Sequence, residues 1–294
     1  MRVTERMRWL KTQRQMTQTA SKADEASERA LTGKRVTSSS DDPAAYLASQ
    51  RLTRQTARQE AFMDNANHVE MELNRMDSVM NIAHNLLSRA VELTVQFGDS
   101  SYNADEMIVA SEEVKTMRQS MINLANTKHM DRALFGGTQS QGDIVNEVTG
   151  AYKTQNIEHR SVTIGEAGLQ ITLQTAEEVF GPQGQTAFDA LANFVTALET
   201  ADDSAILASQ DELRDSLDRI EASYQRVGHD TSRTIEAIEF GEGMNFLNHT
   251  QNTAITEADF VEAVSSMEQS STIYELSIKI ASEQKQLTRS IMNL

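Results

Sequence analysis

The most regular part of the sequence lies between residues 62 and 97, which read FMDNANHVEMELNRMDSVMNIAHNLLSRAVELTVQF. Apolar or small residues recur there in alternating steps of four and three, with charged and amide side chains between them. The stripe consists of Phe62, Ala66, Val69, Leu73, Met76, Met80, Ala83, Leu87, Ala90, Thr94 and Phe97. This spacing is typical of a helix that packs lengthwise against other helices in a coiled coil.

The same register continues backwards from Phe62 to Ala45, although Gln55 and Gln59 occupy two of its seam positions. No proline lies between Pro43 and Pro182, so no residue of that kind forces the helix to end early. We predict one helix over residues 43–97. At a rise of about 1.5 Å per residue it would be about 80 Å long.

Two shorter stripes with similar spacing follow along the chain. The second consists of Met107, Ala110, Val114, Met117, Met121 and Leu124, and the third of Leu213, Leu217, Ile220, Tyr224, Val227, Thr231, Thr234 and Ile238. These stripes are long enough to pack on one another. The predicted fold class is mainly α, an elongated, coiled-coil-like helical rod built from the N- and C-terminal halves of the chain.

Polar residues at the predicted helix starts are typical of N-terminal caps. Asp41 and Asp42 immediately precede Pro43, which suits the first turn of a helix. A metal site is the other interpretation of this acidic pair, but a helix N-terminus already attracts carboxylates. Pairs with capping-box spacing recur further along the chain, at Asn103 and Glu106, Thr186 and Asp189, and Thr256 and Asp259.

Residues 133–184 break the helical pattern and contain eight of the thirteen glycines. Within this segment, residues 162–164 and 169–173 alternate with the period of two that is typical of strands. We predict a small β-rich insert domain over residues 133–184.

Composition excludes several functional classes. The formal net charge is −16, which argues against nucleic acid as the main partner, and no apolar stretch is long enough to span a membrane. The chain has no cysteine, its six histidines lack metal-ligand spacing, and none of the common catalytic motifs is present. We therefore expect a protein that is not an enzyme and has no catalytic residue, cofactor or metal. An enzyme with helical arms is the alternative, and its polar site would lie in residues 133–184.

Charge is unevenly distributed along the chain. Residues 1–60 hold twelve basic and seven acidic residues, a net charge of +5, whereas the remainder carries −21. A basic arm for a membrane surface or nucleic acid is one interpretation. Basic residues alternate with acidic ones here, which favours one half of an electrostatically complementary assembly.

Apolar residues at both ends of the chain are spaced to share one face of a helix. The predicted assembly interface consists of Val3, Met7, Leu10, Ile273, Leu276, Ile280, Leu287 and Leu294. Tyr274 and Ile278 lie beside this face. Apolar faces of this kind at chain ends indicate a partner.

Several motifs, in order along the chain, resemble those of the flagellin family, and within it the branch that joins the flagellar hook to the filament. They are LTGKRV at 31–36 with SDDPAA at 40–45, RAVELTVQ at 89–96, LANT at 124–127 with LFGGT at 134–138, and TEADFVEA at 256–263. The proline at position 43 and the LFGG form favour the junction branch over flagellin itself. Flagellin, the filament subunit, remains the alternative.

The resemblance implies a division of the chain into three regions. Residues 1–42 and 251–294 would form a terminal helical polymerisation domain, disordered until assembly. Residues 43–132 and 185–250 would form a helical rod domain, with residues 133–184 facing outward. The implied function is structural, an adaptor ring that joins hook to filament by helix packing between subunits.

The resemblance also implies partners and a location. The implied partners are other copies of the chain in a ring, a hook-associated protein on the hook side, flagellin or another junction protein on the filament side, and a secretion chaperone at the C-terminal region. Nucleic acid and membrane are not expected partners. The implied location is extracellular, in the bacterial flagellum. The basic first fifteen residues lack the apolar core of a secretory signal, so we expect export without a cleaved signal peptide.

Overall fold

A computed structural model describes residues 2–98, 102–139, 141–154 and 157–292. It is 75% helical, which confirms the predicted mainly α class. The helices of the described residues are α1 (Arg2–Thr32), α2 (Pro43–Phe97), α3 (Ala104–Ala125), α4 (Ala176–Phe180), α5 (Ala187–Thr200), α6 (Asp203–Thr256) and α7 (Phe260–Met292). Across these described helices, none combines the length and hydropathy needed to cross a membrane.

The strands are short and pair two by two. β1 (Lys128–His129) is antiparallel to β2 (Arg132–Ala133), and β3 (Arg160–Thr163) is antiparallel to β4 (Gln170–Leu173). The second pair confirms the strands predicted from alternation. Its register places Val162 opposite Ile171, and a turn over residues 164–169 joins the two strands.

The chain divides into two compact units. The terminal unit comprises residues 1–57 and 244–294, and the central unit comprises residues 58–243. Helices α2 and α6 each contribute residues to both units. The segment predicted as an insert, residues 133–184, lies within the central unit.

The core of the central unit is built on the heptad stripe of α2. Every member of that stripe from Ala66 to Phe97 is buried, and its methionines and leucines are almost fully so. Met107, Val114 and Met121 of α3 are buried in the same cluster. At roughly 1.5–3 kcal/mol per fully buried large apolar side chain, this stripe is a major source of the unit's stability.

Helix α6 buries much of the predicted stripe, with polar residues at three further positions. Leu213, Ile220 and Val227 are buried as predicted, but Tyr224 is exposed, and the positions between them are taken by polar residues. Those residues are Ser216, Ser223 and Asp230. The prediction instead took the neighbouring residues Leu217, Tyr224 and Thr231. Ser216 can be buried at low cost because its hydroxyl donates to the carbonyl of Glu212 at 2.9 Å.

The segment 133–184 shares the core of the central unit. Phe135, Phe180 and Phe188 form an aromatic group in which successive ring centroids are 5.4 Å apart. The buried Tyr152 hydroxyl donates to the carbonyls of Ala176 (3.0 Å) and Gly181 (2.8 Å), and burial raises its pKa. These side chains lie in one hydrophobic cluster with those of α2, α3 and α5.

Strand β3 is held directly on α2. The amide of Asn65 donates to the carbonyl of Thr163 at 3.1 Å. Arg160 forms an ion pair with the buried carboxylate of Glu72. A buried carboxylate needs such a partner, because desolvation without pairing is costly.

Capping residues lie at the starts of several helices, as predicted from the sequence. Asn103 and Glu106 form a reciprocal capping box at α3, and Thr186 and Asp189 form another at α5, so both predictions are confirmed. The predicted box at Thr256 is wrong, because Thr256 ends α6. Asp259 instead caps α7, accepting from the backbone amides of Val261 (2.9 Å) and Glu262 (3.2 Å).

Two glycines close together on α6 have opposite environments. A Cβ at Gly241 would lie 2.7 Å from Cγ of Met63 and 2.8 Å from Nε2 of Gln59, whereas Gly243 has open space around it. A Cβ at position 241 fits only if the flexible side chains of Met63 and Gln59 move aside. We expect this displacement to offset the ~1 kcal/mol that alanine gains as the better helix former, so Gly241→Ala should not raise the free energy of unfolding.

Gly243→Ala is the matched control, and we expect it to raise the free energy of unfolding by up to ~1 kcal/mol, since alanine is the better helix former. Urea unfolding of both variants, followed by circular dichroism, measures the difference. Equal effects of the two substitutions would contradict the assigned packing of α6.

Candidate assembly interface

Helices α1 and α7 of the terminal unit pack side by side and antiparallel. The hydroxyl of Thr12 donates to Oε1 of Gln284 at 3.0 Å, and the hydroxyls of Thr19 and Ser277 are 3.2 Å apart. As the residue number rises along α1, the number of its partner on α7 falls by the same amount. The two ends of the described chain therefore form one helix pair.

Most residues in the seam of this pair are small or polar. They follow alternating steps of four and three on both helices and are buried or half-buried: Thr12, Met16, Thr19, Ala23, Ala26 and Ala30 on α1, and Ala263, Met267, Ser270, Tyr274, Ser277 and Ala281 on α7. Alanine, serine and threonine remove little apolar area from water. The pair therefore gains much less from burial than the α2 stripe does.

The large apolar residues predicted as an interface point away from this seam. Met7, Leu10, Ile273, Leu276, Ile280 and Leu287 have exposed fractions between 44% and 66%. The four on α7 follow helical spacing on a face next to the seam. For Val3 only the helical backbone is described, and Leu294 lies outside the described residues.

Further exposed apolar residues extend this surface. Trp9 and Leu31 on α1, and Phe260, Val261 and Ile278 on α7, are also exposed. Sequence reasoning retained only one face of each terminal helix and so missed four of them. Counting every large apolar residue outside the small-residue stripes would have found them, because those stripes mark the seam.

The loops before α2 and α7 are tied to each other. The backbone N–H of Arg35 donates to the carbonyl of Thr256 at 2.7 Å, and that of Ala258 donates to the carbonyl of Gly33 at 2.9 Å. Gly33 has a φ of 66°, a conformation that favours glycine. The TGKR sequence at 32–35 thus closes the end of the α1–α7 pair.

Arg35 links this crossing to the start of α2. One guanidinium nitrogen donates to the carboxylate of Asp42 at 3.2 Å, and another donates to the carbonyl of Ile255 at 3.0 Å. Asp42 also accepts from the backbone N–H of Ala45 at 3.0 Å, the bond of an N-cap, and Pro43 begins the helix. These hydrogen bonds lower the pKa of Asp42, that from Ala45 most.

Asp41 organises the loop itself. One carboxylate oxygen accepts from the backbone N–H groups of Ser38 (2.9 Å) and Thr37 (3.1 Å). These two bonds, first that of Ser38, lower the pKa of Asp41 to about 2. The acidic pair is engaged in hydrogen bonds within the loop and at the helix start.

Two arrangements that enzymes commonly use are absent from the residues that the structure describes. No group of three histidines, cysteines, aspartates or glutamates there is arranged to hold a metal ion. A cavity of about 660 Å³ in the terminal unit is lined by Thr32, Lys34, Tyr46, His249 and Glu257, among others. Within the described residues, no hydrogen bond joins His249 to a serine, threonine or carboxylate side chain.

Residues 3–140 match the model of the bacterial flagellin N-terminal helical region. The chain is 27% identical over 183 residues to flagellar hook-associated protein 3 of Salmonella typhimurium, covering 59% of this chain and 57% of that protein. It is 25% identical over 213 residues to the Escherichia coli protein of the same name, covering 68% and 67%. The chain is thus similar to two proteins named flagellar hook-associated protein 3 and, over residues 3–140, to the flagellin N-terminal region.

Polar flagellin F of Vibrio parahaemolyticus is similar to a shorter part of this chain. The identity is 28% over 125 residues, covering 42% of this chain and 32% of the flagellin. The chain spans less than three fifths of the length of the Salmonella relative.

Solved structures show the same fold at low sequence identity. A flagellar hook-associated protein from Vibrio parahaemolyticus superposes with a TM-score of 0.56 at 19% identity, covering 74% of this chain and 97% of that chain. FlgL of Bacillus cereus gives 0.54 at 20%, covering 70% and 97%. The flagellar junction protein FlgL of Legionella pneumophila gives 0.53 at 14%, covering 73% and 100%.

The lowered pKa of Asp41 predicts a specific pH dependence. The ionised carboxylate stabilises the folded loop, and the folded-state pKa lies below the ordinary value of 3.8. The stabilisation is therefore complete above the unfolded pKa and is lost as pH falls through the folded pKa. We expect Asp41→Asn to lower the melting temperature by a constant amount above about pH 5, and the difference to vanish near pH 2.

Melting curves of the native chain and the variant between pH 2 and 7 provide the measurement. Lys22→Gln, on the exposed surface of α1, is the control and should show no such dependence. A difference that stays constant down to pH 2 would contradict the role assigned to Asp41.

Proposed function

We propose that the chain is a structural subunit of the bacterial flagellum that assembles with other copies into an adaptor ring joining hook to filament. The observation that carries the proposal is the terminal helix pair, which packs mainly through small and polar residues and leaves most of its large apolar residues in solvent. The resemblance to hook-associated protein 3 and to a FlgL named as a junction protein supports this role. In this account the chain is not an enzyme.

Free energy favours completion of the interface by neighbouring subunits. Each large apolar side chain that moves from water into a packed interface contributes roughly 1.5–3 kcal/mol. Burial of Met7, Leu10, Ile273, Leu276, Ile280 and Leu287 would therefore exceed the gain from the alanine-rich seam within one copy. The mechanism is helix-in-groove packing between subunits.

The three regions inferred from the sequence take distinct parts in this proposal. Residues 1–42 and 251–294 act as the polymerisation domain, whose helix pair becomes fully stable on assembly. Residues 43–132 and 185–250 act as a helical rod, and residues 133–184 face outward. The division into a terminal and a central unit supports a separate role for the chain ends.

We propose three kinds of partner beside further copies of the chain. A hook-associated protein would contact the ring on the hook side, and flagellin or another junction protein on the filament side. A secretion chaperone would bind the C-terminal region before export, where it would cover the exposed residues of α7. The assembled protein is extracellular.

Flagellin is the second candidate function, because part of the chain is similar to polar flagellin F. Immunogold electron microscopy of whole cells, with antibody against residues 133–184, distinguishes the two. A narrow band of label between hook and filament is the expected result. Label along the whole filament would identify a filament subunit, and absence of flagellar label would overturn the proposal.

A charged residue in the exposed face of α7 should block assembly. We expect Ile280→Asp or Leu287→Asp to reduce incorporation into flagella at least tenfold, because a carboxylate cannot enter a packed apolar contact without large desolvation cost. Circular dichroism of the purified variants should match that of the native chain, since both side chains are exposed in the isolated subunit.

Ser282→Asp is the matched control for these variants. Ser282 is exposed and lies near Ile280 but on the other side of α7, so it should incorporate normally. Immunogold label per flagellum measures incorporation. Normal label with either apolar variant would refute the interface assignment.

A further inference from the structure

Helix α2 carries an exposed basic stripe. Leu47, Arg51 and Arg54 follow steps of four and three, and all three side chains are exposed. The one hydrogen bond of these guanidinium groups joins Nε of Arg54 to the carbonyl of Gln50, at 3.1 Å, among the described residues. Neither arginine forms an ion pair within that part of the chain.

Helix α6 carries an exposed acidic stripe with the same spacing. Glu239 and Glu242 are exposed, and Phe246, four residues further on, has 72% of its surface in contact with solvent. No lysine, arginine or histidine in the described residues forms an ion pair with either glutamate. An exposed phenylalanine beside two unpaired carboxylates is not explained by packing within one copy.

The two stripes match in reverse order. Steps of four and three lead from Leu47 through Arg51 to Arg54, and the same steps lead backwards from Phe246 through Glu242 to Glu239. An antiparallel helix pair with this register places one apolar pair and two opposite-charge pairs in contact. Side chains at e and g positions of coiled coils select partners in the same way.

We propose that the basic stripe of one copy packs antiparallel against the acidic stripe of a second copy. Leu47 then contacts Phe246, Arg51 pairs with Glu242, and Arg54 pairs with Glu239. Charge complementarity identifies the second copy as the occupant, since each stripe supplies the charges that the other lacks. The inference rests on the proposed function in taking assembled copies as neighbours, but it assigns a surface outside α1 and α7.

The open space at Gly243 supports close approach at this surface. Gly243 follows Glu242 directly, and no atom of the same chain outside its own helix lies within 4 Å of where its Cβ would be. Glycine in an exposed helix interior weakens the helix, and nothing within the copy requires it. A neighbouring helix can lie closer to the acidic stripe because position 243 has no side chain.

Cysteine crosslinking tests the register directly, because the chain has no native cysteine. Copies carrying Leu47→Cys and copies carrying Phe246→Cys, each with a different tag, are expressed together, and isolated flagella are treated with a thiol crosslinker about 10 Å long, the distance between packed helix axes. We expect a crosslinked dimer that contains both tags.

Gln225→Cys replaces Phe246→Cys in the control. Gln225 is exposed and lies three heptads before Phe246 on α6, about 31 Å away along the helix. The mixed dimer should fall at least tenfold with this variant. Equal crosslinking at positions 225 and 246, or none at 246, would overturn the proposed register.

Charge reversal tests the ion pairs. Arg51→Glu with Arg54→Glu should reduce the mixed dimer at least tenfold, as should Glu239→Arg with Glu242→Arg. Mixing the two reversed copies, with the cysteines placed so that reversed stripes face each other, should restore it. Failure of that restoration while circular dichroism shows folded protein would contradict the pairing.

Crosslinking of the purified full-length chain at high concentration separates this inference from the proposed function. A mixed dimer from purified protein without label at the flagellum would support the stripe pairing and refute the junction role. Label at the hook–filament boundary without a mixed dimer in isolated flagella would support the junction role and refute the stripe pairing.

Discussion

Burial of one heptad stripe on α2 is the constraint on which the rest of the structure depends. Leu73, Met76 and Met80 are almost completely removed from solvent, and they form one cluster with α3, α5 and segment 133–184. The same helix also holds strand β3, through Asn65 and Glu72.

The terminal unit has the same heptad spacing, but it buries less apolar area. Its seam contains Ala26, Ala263 and Ala281, which bury little area, while Ile280 and Leu287 remain in solvent. The hydrogen bonds from Arg35 to Thr256 and from Ala258 to Gly33 hold the crossing of the two chain segments that bear these helices. The helix pair is thus positioned within one copy, and its large apolar side chains are left for the neighbours that we propose.

Much of the fold could be predicted from the sequence, wherever a regular spacing of apolar residues or a local capping pattern determines the structure. The long helix at 43–97, the capping boxes at Asn103 and Thr186, and the strand pair at 160–173 follow from local patterns. The buried Ser216 and Ser223 could not be predicted, because apolar residues next to them fit a heptad equally well. The link between Gly33 and Ala258 joins residues far apart in sequence, and no local pattern encodes it.

Hydrogen exchange of the full-length chain tests the central claim, that the terminal helix pair is completed only by neighbouring subunits. In the isolated chain, amides of residues 7–30 and 260–287 should exchange at least a hundredfold faster than those of residues 66–94. In isolated flagella the same terminal amides should become protected. Equal protection of both regions in the isolated chain would contradict the account, because the small-residue seam would then suffice by itself.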